Sequence, residues 1–170
     1  MKQYLIFLII IYVYLCSSCS KEKQQPYIPP ENIISLITGD STKVWKIAKR
    51  YNGKTRMNMG DCFLEYRQTF TQTGQVYDNN EHLMNCGPSL KGAYEIIKDS
   101  LEYTYIRISS DQIPALMNIQ ETYKDFRIFY ASKDSLHISF SHTQFGTKRR
   151  ISDYLVQENI TVKDRNFHHR

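Results

Sequence analysis

The chain contains few residues of several types. Its 170 residues include one Trp, four Cys, five Pro and seven Gly. This composition excludes a collagen-like or disordered low-complexity chain and a multi-span membrane protein. With 41% hydrophobic and 23% charged residues, the sequence is instead typical of one compact domain.

The sequence also lacks the short motifs that mark catalytic and cofactor sites. It has no Gly-x-Ser-x-Gly elbow, no His-Glu-x-x-His pair, no glycine-rich phosphate loop and no calcium loop. Asp78, Glu81 and His82 cluster in one polar stretch, which is more typical of a solvated loop than of a site. We therefore expect no enzyme activity, no catalytic residue, no metal and no cofactor.

Tyrosine and phenylalanine, in contrast, are abundant, with 13 Tyr and 8 Phe. Aromatic side chains are enriched in strands because they fit a half-buried pleated surface. The composition therefore favours an all-β fold.

The first residues have the pattern of an export signal. Met1-Lys2-Gln3 is a short positive start, and an apolar run follows from Tyr4 to Leu15. At about 1.5 Å rise per residue, a helix of this run is shorter than the roughly 30 Å hydrocarbon core of a bilayer. The pattern therefore predicts a cleaved signal peptide over residues 1–18.

The end of this segment, Leu15-Cys16-Ser17-Ser18-Cys19, resembles the lipobox of bacterial lipoproteins. The resemblance implies that Cys19 becomes the first mature residue and carries a diacylglycerol thioether and an amide-linked acyl chain such as palmitate, which anchor the chain to a membrane. It favours the outer membrane, and the single acidic residue in Lys21-Glu22-Lys23 favours the periplasmic face over the cell surface. An ordinary secretory peptide that leaves Cys19 free is the alternative.

Two cysteines then remain, Cys62 and Cys86. In an oxidising compartment an isolated pair predicts a disulfide, which would stabilise the fold by about 3.5 kcal/mol through loop closure. A zinc site that includes His82 is the alternative, but ligands so scattered in type and position are weak evidence for one.

The rest of the chain divides into a tether and a domain. Residues 19–30 are polar and then proline-rich, which predicts a tether, and the domain occupies residues 31–170. Residues 31–38 have helical spacing of apolar side chains and end at Gly39, which predicts a short helix. From Lys43 onward the apolar period changes to two. Eight strands are predicted, over residues 44–50, 62–71, 75–77, 91–98, 101–109, 125–131, 136–142 and 149–157.

Eight strands joined mostly by short turns predict an antiparallel up-and-down barrel, because closure removes the exposed sheet edges. The alternation breaks over residues 111–122, where Pro114 lies. We expect a loop or one helical turn there, either a lid near the barrel mouth or a segment that packs Leu116 and Met117 on the sheet. Residues 166–170 are expected to fray.

An ordered set of residues resembles one family. The set is Trp45-Lys46-Ile47, Cys62, Phe70, Gly74, Cys86, Gly92-Ala93-Tyr94-Glu95-Ile96, Asp99-Ser100-Leu101 and Ser135-Leu136-His137-Ile138. Together with the lipobox, it resembles the lipocalin-like domain of small lipoproteins from Bacteroidota-type bacteria. The resemblance implies an eight-stranded calycin barrel with no established activity for most members. It also implies that Trp45 packs beneath a basic residue, for which Arg149 or Arg150 is the candidate; Lys43 stands where the family often has glycine.

Basic residues are concentrated in two places. The formal net charge is +5, with basic stretches over residues 43–56 and at Lys148-Arg149-Arg150. An exported lipoprotein rarely meets nucleic acid, so we expect no nucleic-acid partner. The basic face either rests against acidic headgroups or glycans or is simply solvated.

Two functions remain open. The first is a barrel that binds a small apolar or amphipathic ligand, and inward tyrosine hydroxyls favour it because they would line a polar cavity. The second is a structural or interaction lipoprotein with a filled barrel, an accessory subunit of an envelope or surface complex. The residues predicted to face inward and line a ligand are Leu64, Tyr66, Phe70, Tyr94, Ile96, Tyr103, Tyr105 and Phe140.

Overall fold

The computed structural model describes residues 25–144 and 146–167. The predicted signal peptide, Cys19 and the first part of the predicted tether lie outside these residues. Within them, no helix is long and apolar enough to cross a membrane. The helices are α1 (Ile33–Thr38), α2 (Asp61–Glu65) and α3 (Ile113–Met117). The strands are β1 (Thr42–Asn52), β2 (Thr55–Met57), β3 (Gln68–Thr71), β4 (Gln75–Asp78), β5 (Lys91–Lys98), β6 (Thr104–Ser109), β7 (Tyr123–Ala131), β8 (Ser135–Gln144) and β9 (Thr147–Gln157).

Eight of these strands close into an antiparallel barrel. β1 and β3 to β9 follow one another around the sheet in chain order, and β9 pairs back to β1 with Ile47 opposite Leu155. β2 lies outside this ring and pairs with the end of β1, with Arg50 opposite Met57. The predicted all-β up-and-down barrel with a short N-terminal helix is therefore confirmed. Its lipocalin-like architecture leaves no free edge in the ring.

Helix α1 closes one end of the barrel. Ile37 of this helix is fully buried, and the indole Nε1 of Trp45 donates a hydrogen bond to its carbonyl oxygen at 2.8 Å. The helix ends at Gly39, whose φ of +64° is a conformation that glycine adopts without strain. Tyr27, from the predicted tether, lies at the same end, where its hydroxyl donates to the carbonyl of Ala131 at 3.4 Å.

A β-bulge in β1 changes which side chains point into the barrel. Trp45 and Ile47 face the core, but the register with β9 shifts between Ile47 and Lys49. Simple alternation would then point Lys49 and Tyr51 inward. The extra residue reverses the alternation, so that Arg50 and Asn52 enter the barrel instead.

The first part of the predicted second strand is a helix. Residues 62–65 belong to helix α2, which follows Gly60 and has Asp61 in its first turn, a favourable place for an acidic side chain. Leu64 is therefore on a helix, and only Gln68–Thr71 of the predicted second strand are extended. The alternation of apolar residues imitated a strand there, because a helix this short shows no full period of its own.

Tyr103 and Tyr105 do not face the core. The turn after β5 extends further than predicted, with Glu102 at φ +62° and the Tyr103 backbone N–H bonded to Asp99. The buried positions of β6 are Thr104, Ile106 and Ile108, so Tyr105 lies on the outer face. A shift of one residue exchanges every inward and outward side chain of a strand.

The C-terminal segment is bonded to the barrel as far as Phe167. The Phe167 backbone N–H donates to the Asn58 side-chain oxygen at 2.8 Å, and the Asn58 amide donates to Asn166 at 3.0 Å. The expectation that the chain frays from Asn166 is therefore wrong for these two residues.

Candidate functional site

The barrel contains a cavity of about 490 Å³ at the end opposite helix α1. Strands β1, β8 and β9 form one side of it, and α2, α3 and the loop that carries Cys86 lie around its mouth. The lining residues are Ile47, Arg50, Asn52, Met57, Cys62, Phe63, Tyr66, Gln68, Asp78, Asn80, Cys86, Pro88, Leu90, Leu116, Met117, Phe126, Ile138, Phe140, His142, Ile151, Asp153 and Leu155.

One part of the lining is apolar. Ile138 and Leu155 are buried on neighbouring strands, and the Phe126 and Phe140 rings pack with their centroids 5.0 Å apart. Helix α3, which confirms the predicted helical turn within residues 111–122, adds Leu116 and Met117 at the mouth. This wall is suited to the hydrocarbon part of a ligand, because burial of apolar surface is favourable by roughly 25 cal/mol per Å².

The other part of the lining is a polar group on β1, β3, β4 and β9. At its centre the Arg50 guanidinium donates from Nε and Nη2 to the two carboxylate oxygens of Asp153, each at 2.6 Å. Burial acts to lower the pKa of Arg50, but the hydrogen bonds and charge of Asp153 outweigh it and raise the pKa. Arg50 also lies over the Phe63 ring, 4.3 Å from the ring centre. The pair is therefore a fixed, charged element of the wall.

Asp78 is the second carboxylate of this polar wall. Only 8% of it is exposed, and burial raises its pKa from the ordinary value. Its oxygens accept hydrogen bonds from the Asn80 backbone N–H at 3.1 Å and from the Tyr66 hydroxyl at 3.5 Å. Those donors oppose the effect of burial and stabilise the charged form. The pKa of Tyr66 is itself raised, first by burial and then by the charge of Asp78.

Two amide side chains of this wall have unused hydrogen-bonding groups. Gln68 is 7% exposed, and its side chain makes no hydrogen bond within the part of the chain that the structure describes. The side-chain oxygen of Asn52 is buried and has no hydrogen-bond partner among the same residues. Gln68 lines the cavity, so its amide can bond a molecule there, whereas the Asn52 oxygen has almost no accessible surface.

The predicted disulfide between Cys62 and Cys86 is confirmed, with the two Cα atoms 5.4 Å apart. It joins α2 to the loop that precedes β5, and both cysteines line the cavity. The bond therefore fixes two segments of the mouth relative to each other. Because the sulfur of Cys86 is bonded to Cys62, it does not serve as a thiolate ligand for zinc with His82.

The residues predicted to line a ligand occupy four different places. Tyr66 and Phe140 line the cavity. Phe70 and Tyr94 are buried in the core, in a T-shaped contact with centroids 5.1 Å apart. Leu64 and Ile96 pack against the core. Tyr103 and Tyr105 lie on the outer face, where the Tyr105 hydroxyl donates a hydrogen bond to Asp99 at 2.8 Å.

The polar wall was missed at the sequence level, although part of it left a signal. In the last strand Asp153 lies between Ile151 and Leu155 at the inward spacing, and an inward acid among apolar residues indicates a buried polar site. Gln68 holds the same position between Tyr66 and Phe70. Arg50 left no such signal, because only the bulge brings it inward.

The residue that covers Trp45 is also different from the one predicted. Lys43 lies over the indole, with Nζ 5.0 Å from the ring centre, and donates to the carbonyls of Leu36 at 2.6 Å and Lys133 at 2.9 Å. Arg149 is exposed at the far end of β9, whereas Trp45 pairs with Gln157. The prediction for Arg149 is therefore wrong, because that strand position lies at the opposite end of the barrel.

Comparison of the chain with protein-family models, with curated proteins and with solved structures finds no match.

A second depression, also of about 490 Å³, lies on the outer face over β7, β8 and β9. Ser141 of β8 pairs with Arg150, and Thr143 pairs with Lys148. Among the described residues neither Arg150 nor Lys148 forms an ion pair, whereas Asp125 at the same depression is held by Arg107 at 2.7 Å. This outer groove is consequently a hydroxyl-lined surface with more basic side chains (Lys124, Arg127, Lys148 and Arg150) than acidic ones (Glu121 and Asp125).

Proposed function

We propose that this chain is a membrane-anchored, lipocalin-like barrel that binds a small amphipathic molecule in its cavity. The observation that carries the proposal is one cavity bordered by an apolar wall on one side and by Arg50, Gln68 and Asp78 on the other. Binding sites for small molecules have volumes of roughly 300–1,000 Å³ and combine apolar walls with a few placed polar groups. The cavity lies within that range.

The position of the cavity is compatible with the proposed anchor. Tyr27 joins the N-terminal segment to the barrel end that carries α1 and Ala131, and the cavity opens at the other end. If Cys19 is lipidated, the mouth lies on the side away from the point where the anchor segment meets the barrel. A ligand would then exchange with the aqueous phase or with a partner protein.

The proposal is tested by native mass spectrometry of the domain with Cys19→Ser, exported and purified without detergent. We expect a stoichiometric small molecule, either co-purified or acquired from a lipid extract. Leu116→Trp places a larger side chain at the mouth and should abolish retention. The control Tyr130→Trp changes an aromatic residue that is 51% exposed and should leave retention intact. A clean apo mass after incubation with lipid and metabolite extracts would contradict binding in the barrel.

A second candidate function is contact with an anionic surface or partner, and the outer groove favours it. Each basic residue near an anionic membrane contributes about 1 kcal/mol. We expect the domain to co-sediment with phosphatidylglycerol vesicles at low salt and to dissociate at high salt. Replacing Lys148 and Arg150 by Gln should weaken sedimentation, whereas replacing Lys49 and Lys54 by Gln serves as the charge-matched control. Equal loss in both pairs would assign the effect to net charge alone.

A further inference from the structure

We propose that the cavity prefers amphipathic molecules with an uncharged polar head, such as a primary amide or an alcohol, over carboxylates of the same chain length. The proposal rests on the binding function above and names the chemical class of its ligand. It follows from the charges of the polar wall and from the Gln68 amide that lines the cavity.

Arg50 is the positively charged residue of this wall, but Asp153 already balances its charge. Both oxygens of Asp153 already accept from its Nε and Nη2 at 2.6 Å. Only 4% of Asp153 is exposed, so the pair is held away from water. The remaining N–H groups of the guanidinium can donate to a neutral oxygen as well as to a carboxylate, so the ion pair gives an anionic head little advantage over a neutral one.

Asp78 adds a negative charge that no cation balances. Its hydrogen-bond donors are all neutral groups: the backbone N–H groups of Asn80 and Leu90 and the hydroxyls of Tyr66 and Ser89. Among the described residues it forms no ion pair. The wall therefore carries one positive and two negative groups, and an anionic head would be repelled across a medium of low dielectric constant.

The Gln68 amide supplies what an uncharged head requires. Gln68 faces the cavity with an N–H donor and a carbonyl acceptor, and it lies directly across the β3–β4 ladder from Asp78. A primary amide or a hydroxyl both donates and accepts, so it can pair with these groups, whereas a carboxylate only accepts.

The test compares three ligands of equal chain length, decanamide, decanol and decanoate, by isothermal titration calorimetry at pH 8 with the Cys19→Ser domain. We expect the dissociation constant of decanoate to be at least tenfold larger than those of the two neutral molecules. Equal or tighter binding of decanoate would overturn the preference while leaving the proposed barrel function in place. Failure of all three to bind would instead overturn both.

Two variants assign the preference to named residues. Asp78→Asn should reduce the ratio of the dissociation constants of decanoate and the neutral molecules to less than threefold. The control Glu95→Gln removes an exposed carboxylate on the outer face with the same change in net charge, and it should leave this ratio unchanged. Gln68→Leu should weaken decanamide at least tenfold. If Asp78→Asn does not fold, the comparison of the three ligands on the unaltered wall still decides the proposal. An unchanged decanamide affinity in folded Gln68→Leu would contradict the role of this amide.

Discussion

The Nε of Arg165 donates a hydrogen bond to the carbonyl oxygen of Ile47 at 2.7 Å, at the bulge that turns Arg50 into the barrel. The same guanidinium donates from Nη2 to the carbonyl of Phe63, a residue that lines the cavity, at 3.2 Å. The C-terminal segment is thereby tied both to the irregular part of β1 and to helix α2. Burial lowers the pKa of Arg165, and the nearby Arg67 acts in the same direction.

Replacement of Arg165 should therefore destabilise the bulge. In Arg165→Met two carbonyls lose a charged donor, and we expect the free energy of unfolding to fall by roughly 1–3 kcal/mol. Urea titration followed by circular dichroism measures the change. Lys163→Met, which alters an exposed residue of the same segment, is the control and should leave the midpoint unchanged. Equal midpoints for both variants would show that the bulge does not depend on Arg165.

The disulfide should contribute to the stability of the mouth. Loop closure between Cys62 and Cys86, 24 residues apart, is worth about 3.5 kcal/mol in the chain-entropy model. We expect reduction to lower the urea midpoint of the unaltered protein. The double variant Cys62→Ser/Cys86→Ser should have the lower urea midpoint without reductant, and added reductant should not change it. A response of the double variant would assign the effect of the reductant to something other than this bond.

The regular parts of the barrel could be predicted from the sequence, and the irregular parts could not. The alternation of Leu136, Ile138 and Phe140 correctly predicted the inward face of β8, because a two-residue period needs only local information. The bulge at Ala48 has no Gly or Pro to mark it, and it is fixed by pairing with β9, which is distant in sequence. Sequence alternation therefore found Ile138 and Phe140 of the apolar wall and missed Arg50.

The cover of Trp45 shows a different limit. The resemblance implied a basic residue above the indole, and a basic residue is there, but it is Lys43. That position is the one at which the sequence departs from the family pattern. A side chain two residues before Trp45 on the same strand shares its face, so simple alternation favours Lys43 over a distant Arg149.

Lys43 should accordingly stabilise the closed end, and Arg149 should not. Lys43→Met removes the hydrogen-bond donor to the carbonyls of Leu36 and Lys133, and it also removes the cation over Trp45. We expect the free energy of unfolding to fall by roughly 2 kcal/mol or more. Arg149→Met changes an exposed side chain and should alter the unfolding free energy by less than about 0.5 kcal/mol. Thermal unfolding of both variants checks the difference. A larger effect of Arg149→Met would restore the original assignment.

His137 should make the barrel less stable in mild acid. Its ring is stacked between Phe129 and Tyr154, with centroids at 5.0 and 3.9 Å, on the outer face. Its Nε2 is buried and has no hydrogen-bond partner within residues 25–144 and 146–167. Burial lowers the pKa of His137 below its ordinary value, and the charge of Asp153 offsets this in part.

The direction of the effect follows from proton binding. The unfolded chain protonates this histidine near pH 6.5, whereas the folded chain does so only at lower pH, so acidification between these two values favours unfolding. We expect the contribution of His137 to be constant above about pH 6.5 and to become unfavourable below it. In His137→Phe, which keeps a ring in the stack, this part of the acid loss should disappear, whereas the exposed His82→Gln should retain it. Parallel curves of unfolding free energy against pH for the unaltered protein and His137→Phe would show that the stacked histidine does not titrate differently on folding.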